Sequence, residues 1–311
     1  MSNANPYSSF VKAQAALLDD GRKLPLGGFS RSHKTEPDPA KRPVLIFSPH
    51  PDDECIIGGF ALRLLKECGW PVINVAVTQG SNLARQAERW IELQQACDYI
   101  GFKLVSTIPG GLMQVTAQAR SKTPAAWSHS VTLIREILEA HRPAAIFFPH
   151  EADWNGTHIG VHLLVTDALQ QAGPKFRCYA VETEFWAAMP TPNLAVESST
   201  IDVAEMVAAL SFHVGEVKRN PYHLLLPAWM QDNVRRGGEL VGGQGKAAPR
   251  FNFATLYRLR EWRDGKFRTL PSMPKMLSAS ERPDLLFPEV YSPLGESASQ
   301  SSLPKSGLVA P

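Results

Sequence analysis

The sequence predicts an α/β fold: a mostly parallel sheet with helices on both faces, followed by a C-terminal extension. Two patterns carry this. Between residues 43 and 183, short runs rich in β-branched and aromatic residues alternate with longer stretches of helix formers, the rhythm of strand and crossover helix. Glycines and prolines (Gly69, Gly101, Pro143, Gly173-Pro174) fall where each helical stretch ends, as helix stop signals do.

Taken in order, residues 7 to 20 are weakly helical. Residues 21 to 42, with Gly27-Gly28, Pro37 and Pro39, read as an extended arm, so 1–42 stands apart as an N-terminal helix and arm. Val44 to Phe47, bounded by Pro43 and Pro49, reads as a short, fully buried strand. Cys55 to Lys66 predicts a helix ending near Gly69. Val72 to Thr78 is a second strand, Ala84 to Ile100 a helix closed by Gly101, and Lys103 to Ile108 a third strand leading into Pro109-Gly110-Gly111. Ser128 to His141 places Val131, Ile134, Ile137 and Leu138 on one helical face. Ala144 to Phe148, Thr157 to Gln171 and Phe176 to Thr183 complete the series as strand, helix and strand. Crossovers are right-handed. Only a few strand orders are then plausible; if the order is 3-2-1-4-5, strands one and four lie together at the switch point, where open α/β sheets bind ligands.

Beyond Thr183 the signals thin. Glu184-Phe185-Trp186 and Met189-Pro190-Thr191-Pro192-Asn193 read either as a substrate rim or as packing. Helical periodicity returns at 202–217, while His213 and His223 read as structural or exposed. Arg235-Arg236-Gly237-Gly238 and Gly242-Gly243-Gln244-Gly245 read as a surface loop, or as a lid. The main domain is expected over 43–281. Residues 282–311, rich in Ser and Pro, are expected to be a disordered tail.

With 44% apolar and 20% charged residues, the 311-residue chain has an ordinary soluble composition. A net charge of +2 gives no electrostatic case for nucleic acid or an anionic membrane. No apolar stretch approaches the roughly 20 residues of a membrane span, and Met1 to Phe10 lacks the pattern of a secretory signal. The 4 cysteines are scattered, without a Cys-x-x-Cys pair, so a reducing cytoplasm is expected.

The chemistry concentrates in Ser48-Pro49-His50-Pro51-Asp52-Asp53-Glu54, directly after the first strand. Asp52 or Asp53 alone could serve as a helix cap. A histidine and three acids within five residues exceed that need, because buried acidic charge is costly without a cation. The loop after strand four reads Pro149-His150-Glu151-Ala152-Asp153-Trp154-Asn155-Gly156-Thr157-His158. With Thr157 as helix cap, His158 falls in the first turn and His162 one turn deeper on the same face. His50, Asp53 and His158 then supply two imidazoles and one carboxylate, the kind of set that holds catalytic zinc and leaves a position for water. Asp52 suits a general base, and Glu54 is expected to orient His50 or Asp53 from behind.

The Pro-His-Pro-Asp-Asp-Glu turn, the Asn-Gly-Thr-His loop and the Arg89-x-x-Glu92-x-x-x-Ala96 helix together resemble the PIG-L/LmbE family of zinc-dependent de-N-acetylases over about residues 43–190. The resemblance implies a Rossmann-like fold and removal of an N-acetyl group from an N-acetylglucosamine-type substrate or conjugate. It implies zinc on His50, Asp53 and His158 (iron(II) would fit the same ligands), a zinc-bound water with Asp52 as general base, and Arg89 on the substrate. Asp153 and Asn155 are further expected substrate contacts. Three positions depart from the pattern: Ser81 and Gly110-Gly111 stand where relatives carry acids, and Asn155 stands in place of a histidine. His162 is therefore a candidate for proton transfer to the leaving amine, or for the third ligand. The expected partner is a small amino sugar. An amidase acting on a larger thiol-conjugated amide and a non-catalytic sugar-binding protein are the alternatives. A nucleotide-binding protein is disfavoured, since the first turn is acidic rather than glycine-rich.

Overall fold

The computed structural model describes residues 5–30 and 35–288. In chain order these form α1 (Ser8–Gly21), β1 (Val44–Ser48), α2 (Asp53–Ile56), α3 (Gly59–Cys68), β2 (Val72–Ala76), α4 (Gln86–Ile100) and β3 (Lys103–Ser106). There follow α5 (Ala117–Lys122), α6 (Pro124–His141), β4 (Ala145–Pro149), α7 (Gly156–Gln171), β5 (Cys178–Thr183), β6 (Leu194–Glu197), α8 (Thr200–Leu210) and α9 (Val214–Val217). The chain continues through α10 (Tyr222–Leu240), β7 (Ala254–Arg263), β8 (Lys266–Thr269) and β9 (Lys275–Leu277).

Of the few orders that the sequence allows, the structure has the one considered above: β3-β2-β1-β4-β5 run parallel, with Val44 in register with Val72 on one side and Ala145 on the other. Alternation along β1 feeds two cores. Val44 and Ile46 join Phe60, Leu64 and Met206 on one face, while Leu45 and Phe47 join Ile134, Leu164 and Val165 on the other. The expected C-terminal extension widens this same sheet. β7 pairs antiparallel with β5, β6 antiparallel with β7, and β9 parallel with β6, while β8 forms a hairpin with β7.

Four expectations are corrected. The helix expected over 55–66 is broken at Ile57-Gly58 into α2 and α3. Buried Tyr257 stabilises the break: its hydroxyl donates to Ile57 O (2.8 Å) and accepts from Phe60 N (3.2 Å). The stretch 202–217 likewise divides into α8 and α9, which carries His213 into the interior. Arg235 to Gly238 are neither lid nor loop but part of α10. There glycine permits close packing, since a Cβ on Gly237 would lie 3.1 Å from Leu256 and 3.5 Å from Ala195. Finally, residues 282–288 pack against the core. Phe287 is fully buried and stacks on Phe60 at 5.7 Å. Residues 289–311, the rest of the expected disordered tail, lie outside the described residues.

Candidate active site

The site forms where β1 and β4 end, at the predicted switch point. The His50 loop is held from several directions. Thr78 Oγ1 donates to Pro49 O (2.7 Å), Arg89 Nη2 donates to Pro51 O (3.0 Å), and His50 N donates to Asp53 Oδ2 (2.8 Å). Asp52 takes a φ of +108°, a strained backbone for any residue with a side chain. Its amide donates to Glu54 Oε2 (3.1 Å).

The structure brings His50, Asp53 and His158 together. His50 Nδ1 lies 3.2 Å from His158 Nε2, and Asp53 Oδ2 lies 3.5 Å from the former and 3.4 Å from the latter. Two ring nitrogens and a carboxylate oxygen thus form a nearly equilateral triangle. Ligands about 2.0–2.1 Å from a tetrahedral cation sit about 3.3 Å apart, so the donor set fits a divalent ion in spacing as well as in chemistry.

Among these groups alone, burial resists ionisation of Asp53, but the imidazoles of His158 and His50 outweigh it and hold its pKa low. Burial also opposes protonation of His158, yet Asp53 and Asp153 raise its pKa. Asp52 behaves oppositely to its neighbour. Burial and then the Asp53 charge push its pKa well above the usual carboxylate range, against the pull of Arg89. Adjacent carboxylates with divergent affinities for a proton are what a ligand and a base require.

Three expected roles change on inspection of contacts. Asp153 does not face the cleft. Its fully buried carboxylate accepts from Asn155 N (2.8 Å) and Trp186 N (3.3 Å), and Oδ2 lies 3.5 Å from His158 Nδ1. The hydrogen bonds of Glu54 run to other groups: it receives the amide of Asp52, and its Oε1 lies 2.8 Å from His213 Nε2. His162 sits about 6 Å further along α7 than His158 by helical rise, in a separate group with Glu151 and Glu182. Its Nδ1 donates to Pro149 O (2.9 Å), and burial lowers its pKa. The arrangement therefore speaks against both roles considered for His162.

Asn155, rather than Thr157, caps α7, its Oδ1 accepting from Thr157 N (2.8 Å) and His158 N (3.4 Å). Like Arg89 it lines the cleft, a space of about 370 Å³ that also includes His50, Asp52 and Asp53. Arg89 packs over Gly80, whose φ of +81° and lack of a side chain leave it room. The sequence reading missed Glu216, Arg219 and Tyr222, which reach the cleft from the α9–α10 segment, and Gln114 and Thr116 from the loop after β3. No local pattern marks them, because their place depends on packing of distant elements. Trp186, read as either rim or packing, stands at the rim, 45% exposed.

Residues 45–169 match the family of GlcNAc-PI de-N-acetylases, PIG-L. No curated protein matches the chain in sequence. Among solved structures, the chain resembles N,N′-diacetylchitobiose deacetylase from Pyrococcus horikoshii. That match has a TM-score of 0.52 and 16% identity, covering 85% of this chain and 96% of that one. It also resembles a triple mutant of a deacetylase of the teicoplanin biosynthetic pathway (TM-score 0.52, 15% identity, 71% of this chain and 98% of that one). A conserved protein from Thermus thermophilus is similar as well (TM-score 0.51, 19% identity, 69% and 93% covered). These likenesses are of fold, and the family match covers the motif-bearing segment from β1 through α7.

Proposed function

We propose that this protein is a metal-dependent hydrolase that removes the N-acetyl group from an N-acetylglucosamine-type amino sugar or its conjugate. The observation that carries the reading is the convergence of His50, Asp53 and His158 on one point, with Asp52 lining the same cleft. Zinc, or another divalent cation such as iron(II), held by those three side chains supplies a Lewis acid that polarises the acyl carbonyl and acidifies water. Asp52 accepts the water proton as its oxygen bonds to the acyl carbon. As the C–N bond breaks, Asp52 returns that proton to the leaving amine. Arg89 and Asn155, on the cleft wall, contact the sugar.

The test is elemental analysis for metal, combined with acetate release from N-acetylglucosamine derivatives, for wild type and Asp52→Asn. The expected result is about one metal ion per chain in both, with turnover about 10²–10⁴-fold lower in the variant. Loss of metal in Asp52→Asn would overturn its assignment as base. Metal-free, inactive wild type would overturn the hydrolase reading.

A further inference from the structure

The cleft is not the whole of the space around the cluster. A second cavity of about 300 Å³ opens beside it and shares two of its walls, Trp186 and Tyr222, whose rings meet edge to face at 5.3 Å. The remaining walls are Ile56, Phe185, Leu225, Leu226 and Trp229. The two spaces differ in chemistry. The first presents Asp52, Arg89, Glu216 and Arg219; among the described residues, no charged side chain lines the second.

Two walls of the apolar groove, Phe185 and Ile56, adjoin the ligand cluster. The Phe185 ring meets His158 edge-on at 4.5 Å, and Ile56 ends α2, which opens with Asp53. At its other end the groove reaches water, with Leu225 44% exposed. Apolar and aromatic surface left open beside a charged cleft is unfavourable in water and gains from a matching ligand.

An amide offers two substituents across its C–N bond. In the proposed reaction the nitrogen carries a polar sugar, which suits the charged cleft, so the other substituent, on the acyl carbon, faces the groove. We infer that the groove is an acyl-chain subsite, and that the favoured substrate is an amino sugar N-acylated by an aliphatic chain longer than acetyl. This rests on the hydrolase reading above and extends it. Water adds its oxygen to the acyl carbon, the C–N bond breaks, and the products are a carboxylate and the protonated amino sugar. Burying each further methylene along Phe185, Leu226 and Trp229 favours binding by about fourfold, as far as the groove extends.

The experiment uses the metal-loaded full chain and a series of N-acetyl-, N-butanoyl-, N-hexanoyl- and N-octanoylglucosamine, with the octyl glycoside of N-acetylglucosamine for comparison. Free amine is measured to give kcat/KM. The expected result is a rise of about two- to fourfold per methylene. In Leu225→Asp, a charge placed on the exposed wall lowers the octanoyl-to-acetyl ratio at least about tenfold. A flat or falling series with N-acetylglucosamine still hydrolysed overturns the acyl subsite and leaves the deacetylase standing. A flat series with the octyl glycoside preferred also overturns it, assigning the groove to an aglycone. Absence of hydrolysis at every chain length fails the hydrolase reading itself, and the subsite falls with it. If Leu225→Asp does not fold, the wild-type series decides alone.

Discussion

At the scale of single residues, the site separates tasks that the sequence places side by side. Asp52 and Asp53 are neighbours, yet the positive φ of Asp52 leaves one carboxylate on the cleft wall and the other against two imidazoles. His158 is backed by Asp153, whose Oδ2 approaches the ring nitrogen turned away from the cluster. Carboxylates in that position fix the orientation and raise the basicity of a ligating imidazole. Asp153→Asn should therefore weaken metal binding about 10–100-fold, measured by competition with a chelator. His158→Ala should lose the metal, while His162→Ala, which removes contacts to Pro149 O and the separate Glu182 group, should keep it. Equal metal loss in the two histidine variants would sink this division. His50, Asp52 and Asp53 were legible because the turn spacing itself places them, whereas the sequence left His158 and His162 as alternatives for the third donor. The role of Glu54 was not, because a buried carboxylate turns toward whichever partner the fold supplies, here His213.

At the scale of elements, the loop after β4 is fastened to a strand from the chain's far end. Arg258 on β7 binds Glu182 on β5 through Nε (2.6 Å) and Nη2 (2.7 Å) and also pairs with Glu151 in that loop. Burial opposes ionisation of Glu151, but the Arg258 guanidinium outweighs it and holds the carboxyl down to about 2. A carboxylate with a depressed pKa adds stability above its unfolded value, and that stability is lost as pH falls through the folded value. Wild type should thus lose its advantage over Glu151→Gln as pH drops from about 4.5 towards 2, measured as the difference in Tm. The effect should stay below about 1 kcal/mol, because the Glu151 side chain is half exposed. A gap that widens with acid would refute the pairing. The same scale explains the misread glycines: Gly237 and Gly238 look like a loop in sequence, but Gly237 lets α10 lie against β6 and β7, and Gly238 admits the backbone of Ala248 from the segment before β7.

At the scale of the whole molecule, the N-terminal arm and the C-terminal end of the described chain both return to the core. Phe29 in the N-terminal arm packs on Tyr99 (5.5 Å) and Phe212 (5.1 Å). Phe287 fills the space among Phe60, Trp70 and Tyr179 at 5.7, 5.4 and 4.8 Å. Removing a fully buried aromatic ring forfeits its transfer energy and leaves a cavity. Phe287→Ala should cost about 3–5 kcal/mol, read from denaturant midpoints. A cost below about 1 kcal/mol would show that residues 282–288 are dispensable to the fold, as a disordered tail would be. All four cysteines are buried and free, with burial pushing Cys178 to about 12 and Cys68 to about 11. Among the described residues no helix is long and apolar enough to cross a membrane.

By itself, the sequence pointed to the parallel sheet and its five strands, narrowed their order to a few, and put His50, Asp52 and Asp53 in the turn after the first. Those features follow from local periodicity, turn chemistry and the fixed handedness of crossovers. Only the tertiary structure decided the antiparallel half of the sheet, the backing of His158 by Asp153, and the paired charged and apolar clefts. Each of these joins segments far apart in the chain, and no local spacing encodes which distant side chain will meet a buried carboxylate or wall a groove.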